Sequence, residues 1–170
     1  MITRIAKIAM LAAIAAFFSL AAFGNLSDYD SNFAFVQHVL SMDSLAPGSA
    51  ITYRAIKDPT LHHAAYACII AAETAAALLC WIGAGLLVRR VRADANAFNR
   101  AKAVGVAGLT LGFLIYQFGF MTIGGEWFGM WMSHDWNGQQ GAFRFAMTIA
   151  AVLLFLAIPD HEPEWRPGRS

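Results

Sequence analysis

Glu73 is the residue whose type and place most directly propose chemistry, because it is the only acidic residue inside any of the four long apolar segments of this chain. A charge at bilayer depth costs roughly 3 kcal/mol or more, so it marks either a functional site or a paired structural contact. Counting from span midpoints at ~1.5 Å per residue puts Gln117 within about 3 Å of the depth of Glu73, with Tyr116, Ser19 and Thr148 in the same half. Arg144, near the outer end of the last span, can reach inward along its stem or turn outward to headgroups. Two chemistries fit this set. In one, Gln117, Tyr116 or Arg144 holds Glu73, satisfying buried valences and fixing helix register. In the other, a desolvated Glu73 faces a cavity and exchanges protons with a substrate, a quinone or a relay, as in a small transporter or a quinone-linked redox component.

A second set lies outside the spans. His38, His62, His63, His134, Glu126 and Asp135 all fall on one side, and imidazole with carboxylate suits zinc or copper. The spacing is not diagnostic: His62 and His63 are adjacent, so they point apart on a helix, and the others come from separate loops. Haem b would need His inside facing helices, and no His lies deep in a span. There is no CxxC or CxxCH, no nucleotide-binding motif and no nucleophile elbow, so no catalytic motif assigns an enzyme. A bound lipid or quinone is the cofactor class that this leaves open. Cys68 and Cys80 are 12 positions apart in one helix, roughly 18 Å, too far to pair.

The elements that position these residues are helices in lipid. The 170 residues suffice for one domain, residues 1–170, and 58% hydrophobic content with a mean hydropathy of +0.52 is too apolar for a soluble fold of that size. Four segments, about Ile5 to Gly24, Ala64 to Val88, Ala103 to Ile123 and Ala142 to Ile158, each approach the ~20 residues needed to cross hydrocarbon. Arg89 and Arg90 stop the second, Gly124 and Gly125 the third, Pro159 and Asp160 the fourth. Nine of the twelve Lys and Arg residues share one side, among them Arg4, Lys7, Lys102, Arg166 and Arg169. That bias orients both termini to the cytoplasmic side. It also accounts for the basic cluster from Arg89 to Lys102, and with a net charge of +1 nucleic acid is excluded as a partner. The competing reading of the first segment, a signal peptide cleaved after Ser19-Leu20-Ala21, requires a shorter apolar core than the one present.

The expected fold class is all-α: a polytopic four-helix membrane bundle with an interfacial helix in the first external loop. Gly105, Gly108, Gly112 and Gly119 form one stripe on the third span, with Gly108 and Gly112 as a GxxxG pair suited to close helix contact. In the first external loop, Asn32 to Leu45 puts Phe33, Val36 and Leu40 on one face, beginning after the caps Asp30 and Ser31. In the second, Trp127, Phe128, Trp131 and Trp136 suit either an aromatic belt at headgroup level or a contact surface for a partner.

The segments NFAFVQHVLSMD (Asn32 to Asp43) and EWFGMWMSHDWNGQQGAFRF (Glu126 to Phe145) resemble those of a family of bacterial predicted small integral membrane proteins of unknown function. The resemblance covers nearly the whole chain and implies class and location, without catalytic residues to carry over. Small size, glycine and alanine seams and external aromatics together suggest an accessory or interaction subunit of a larger respiratory or transport complex. Its partners would be membrane lipid and either other membrane subunits or further copies of the same chain.

Overall fold

The computed structural model describes residues 1–161; Arg166 and Arg169, counted in the charge bias, lie outside the described residues. Helix α1 covers Ile2–Ser27, α2 Tyr29–Ser41, α3 Pro59–Arg90, α4 Ala95–Ala101, α5 Ala103–Leu114 and α6 Gln139–Ala157. A π-helical stretch, Ile115–Trp127, continues α5 directly. Among the described residues there is no strand, and four helical stretches are long and apolar enough to span: Ile2–Ser27, Pro59–Arg90, Ala95–Trp127 and Gln139–Ala157. All are longer than the apolar runs alone suggest, the last by only two residues and begun three residues earlier. The protein is a multi-pass integral membrane helical bundle.

Local chemistry sets the boundaries. Asp58 caps α3 by accepting from the Thr60 N–H at 2.8 Å, with Pro59 in the first turn and Arg89 and Arg90 in the last, where they complement the carbonyl end. Asp94 caps α4 in the same way through Ala97 N–H. The predicted caps of the interfacial helix, Asp30 and Ser31, lie inside α2, whose N-cap is Asp28; the chain breaks for that single residue between α1 and α2. Val36 and Leu40 turn inward from α2 onto Tyr66, Ile70 and Phe128, as an amphipathic helix requires.

In the bundle α1 packs on α3, α3 on α5, α5 on α6, and α6 returns to α1. Close approach rests on glycine. A Cβ on Gly83 would sit 2.6 Å from both the Cα and N of Gly105, so here α3 and α5 meet backbone to backbone. Gly108 faces Cys80 and Leu79, and Gly112 receives the Phe18 ring. Gly119 does not continue the expected stripe: nothing lies within 4 Å of its would-be Cβ. From Ile115 the winding changes to i→i−5, seen in Phe128 N–H donating to Ile123 O at 3.0 Å, and the wider turn rotates later residues off the α-helical register.

At the end where α1 begins and α6 finishes, three cations converge on one carboxylate. Lys7 Nζ donates to Asp160 Oδ2 at 2.7 Å and Ile158 O at 2.6 Å; Lys102 Nζ donates to the same oxygens at 2.6 and 2.7 Å. Arg4 adds a longer contact at 3.7 Å, and Asn99 exchanges two hydrogen bonds with the Asp160 backbone. Lys7 is 1% exposed, so α1, α4, α5 and the end of α6 are tied by groups withdrawn from water. Burial opposes ionisation of Asp160, but hydrogen bonds and charge from Lys102 and Lys7 outweigh it and hold the carboxyl below the usual carboxylate range.

Two predictions follow from this packing. Asp160→Asn leaves Lys7 and Lys102 without their counter-charge, an effect of about 3–5 kcal/mol for a broken buried pair, and should lower the melting temperature in detergent markedly. Because the Asp160 pKa is lowered by folding, its contribution is complete above the unfolded value of about 4 and disappears as pH falls through the folded value, so the wild type should lose this increment only in acid. Separately, Gly83→Ala should destabilise by about 1–3 kcal/mol through overpacking, whereas Gly85→Ala, with open space around it, should leave the melting temperature unchanged or higher.

Candidate functional site

Glu73 lies on α3, 4% exposed, and accepts a hydrogen bond from Asn25 Nδ2 at 2.7 Å. Asn25 stands in the last turn of α1, and its backbone carbonyl accepts from the Tyr66 hydroxyl at 3.1 Å. The Asn25 bond is the only hydrogen bond to the Glu73 side chain, and no cation pairs with it, among the described residues. This corrects the expected pairing. Gln117 is half-buried and forms no side-chain bond among the described residues; its carbonyl accepts from Thr122. Arg144 is exposed and reaches only Gln140 O of its own helix, at 3.4 Å. The physical reason is length: α1 continues to Ser27 beyond the apolar run, which carries Asn25 to the level of Glu73 instead of into a loop.

Glu73 and Asn25 line a cavity of about 380 Å³ whose other walls are largely aromatic: Phe17, Phe35, Tyr66, Tyr116, Phe120 and Phe145. These rings support one another. Phe145 lies 4.8 Å from Phe17 and 5.1 Å from Tyr116, centre to centre, and Tyr116 lies 5.6 Å from Phe120. Tyr116 therefore does border the site with Glu73, without bonding to it. The π-helical stretch supplies Tyr116 and Phe120, Gly141 and Ala142 of α6 leave the space open, and Gly138 admits the Phe35 ring. Phe35, Val36, Ile69 and Phe120 also wall a second cleft of about 340 Å³, which is otherwise apolar and lies between α2, α3 and the π-helical stretch. A carboxyl group, an amide and an apolar cleft side by side match an amphipathic ligand: the acidic oxygen accepts a hydrogen bond or a positive charge from its head, and rings or aliphatic walls take the rest.

The six residues offered as metal ligands are held apart. His38 meets Asp43 at 2.9 Å and stacks on Trp136, while buried His62 bonds Ile56 O at 2.7 Å. His63 stacks on Phe33 and meets the Tyr29 hydroxyl, and His134 pairs with adjacent Asp135 in full exposure. Glu126 is exposed and joins none of them. Among the described residues no three His, Cys, Asp or Glu side chains form a metal-holding group; each histidine is taken up by partners of its own.

The aromatic loop also divides. Trp127 and Trp131 are more than half exposed, and Arg54 lies 4.7 Å over the Trp127 ring while donating to its carbonyl. Phe128 is buried beside Val36 and Leu40, and Trp136 covers His38, so these two serve internal packing. Ser44 and Ser133 join the α2–α3 loop to the aromatic loop at 2.8 Å.

Residues 3–159 match a family described as predicted small integral membrane protein (DUF2165). No curated protein and no solved structure matches the chain.

Glu73→Gln keeps an oxygen that can accept from Asn25, whereas Glu73→Leu leaves the half-buried Asn25 amide without its side-chain partner. The Gln variant should melt within a degree or two of wild type, and the Leu variant should lose about 1–3 kcal/mol, as read by thermal unfolding in detergent.

Proposed function

The chain belongs to this family of predicted small integral membrane proteins, and we propose that it binds a lipid-soluble ligand, the polar head of which is received by Glu73 and Asn25. The observation that carries this reading is Glu73 itself: a nearly buried carboxyl group with a single amide partner, in an aromatic cavity that shares four wall residues with an apolar cleft. A carboxyl group kept only for helix registry is better served by a cation or a full set of donors. The head group is one that donates hydrogen bonds or carries positive charge, as an amine or a reduced quinone does, and the hydrophobic portion lies along Ile69, Val36 and Phe120. In this reading the protein is a small carrier or redox-linked membrane component, with both termini at the cytoplasmic face of a bacterial inner membrane.

A second reading, an accessory subunit of a larger membrane assembly, is favoured by one separate observation. Trp127 and Trp131 stay exposed at the outer end while their neighbours Phe128 and Trp136 are packed inward, and exposed Trp beside Arg is the composition of an interface centre. Purification from native membrane in mild detergent, followed by identification of bound small molecules and companion proteins, separates the two. A small molecule bound near stoichiometry in wild type and in Trp131→Ala, but reduced about tenfold in Glu73→Gln by loss of one charge-assisted hydrogen bond, is the expected result. Equal retention by wild type and Glu73→Gln would remove the ligand reading; a companion protein lost only in Trp131→Ala would establish the second.

A further inference from the structure

The opposite end of the bundle holds a further cavity, of about 520 Å³, between the first turn of α1 and the end of α6. Its charged walls are Arg4, Lys7 and Arg92 with the carboxylate of Asp160, and its apolar walls include Phe155 and Pro159. The charges do not balance. Arg4, Lys7 and Lys102 share the single carboxylate of Asp160, so cationic side chains outnumber acidic ones here, with Lys7 and Lys102 almost completely withdrawn from water. The Ile158 carbonyl at the end of α6 accepts from both lysines, but a helix C-terminus offers only about half an elementary charge. Arg92 is exposed, lines the same cavity and has no hydrogen bond or ion pair among the described residues.

We propose that this cavity binds the phosphate of an anionic lipid, with Arg92 and Arg4 on the phosphate and Phe155 and Pro159 against the glycerol and acyl portion. An anion there offsets the excess of cationic side chains, and a guanidinium gives it the paired N–H donors that phosphate geometry favours. The place suits a lipid rather than a dissolved ion. The cavity lies where α1 begins and α6 ends, beside aliphatic and aromatic walls that a hydrated phosphate has no use for. This site is separate from the Glu73 cavity and does not depend on the reading of that cavity.

The test uses the whole protein in nanodiscs of equal phosphatidylglycerol and phosphatidylcholine, with retained lipid read by native mass spectrometry after release. Wild type should keep phosphatidylglycerol in preference, and Arg92→Gln should reduce that preference about tenfold, as expected for one charge-assisted hydrogen bond. Arg89→Gln, which removes an exposed charge at the same end but outside the cavity, should leave the preference unchanged. Circular dichroism confirms that each variant is folded. No preference in wild type, an unaltered preference in Arg92→Gln, or an equal loss in Arg89→Gln would overturn the proposal, the last by reducing it to diffuse surface charge. Displacement of the lipid by millimolar inorganic phosphate would also overturn it, by making the site one for a free anion.

Discussion

Inside hydrocarbon a polar group has no water to fall back on, and this constraint organises the whole molecule. The backbone meets it by being helical wherever it crosses. Side chains meet it in two ways. Ser19, Thr74 and Thr148 donate back to carbonyls four residues earlier on their own helices, and Ser19 then accepts from Trp81 of α3. The charged groups are satisfied between helices instead: Lys7 and Lys102 on Asp160 and Ile158 O at one end, Glu73 on Asn25 towards the other. The two ends thus use different chemistry. One is a dense knot of opposite charges that fixes helix positions, and the other is a lightly held carboxyl group beside open space.

Packing between these ends is carried by small residues, because lipid tails give helices no hydrophobic reason to associate. Gly83 on Gly105 allows backbone contact, and Gly112 admits Phe18. At Gly119, past Ile115, that close contact is interrupted. The π-helical winding widens the third span, Gly119 opens onto the apolar cleft, and Tyr116 and Phe120 border the Glu73 cavity. Departures from α-helical winding often accompany functional sites, and here the departure coincides with both cavities.

Hydropathy and charge made the spans, their number and the interfacial helix legible, since length and apolar content are properties of the chain itself. Glu73 was legible as the residue to question. Its partner was not: Asn25 follows the apolar run and reads as loop, and only the extra helical turn to Ser27 places it at the right depth. The stripe ending in Gly119 failed because a periodicity argument assumes one winding throughout, and nothing in the local composition announces the change at Ile115. Asp160 was read as a span end, and Lys7 and Lys102 only as part of the charge bias. That they form one cluster depends on three helices ending at the same level, which is a tertiary fact, although two lysines and an aspartate at matching span ends were a signal open to use. His38, His62, His63 and His134 share one end of the bundle, but the separate partner that each one meets keeps them from converging.

The central claim is that the space beside Glu73 is a binding site rather than a packing defect. An experimental map of the protein in nanodiscs formed from its native membrane addresses this directly. The account predicts elongated non-protein density in the aromatic cavity, with its polar end within hydrogen-bond distance of the Glu73 carboxyl group. A cavity closed by side chains, or one without such density and with Glu73 bonded to Asn25 alone, would contradict it.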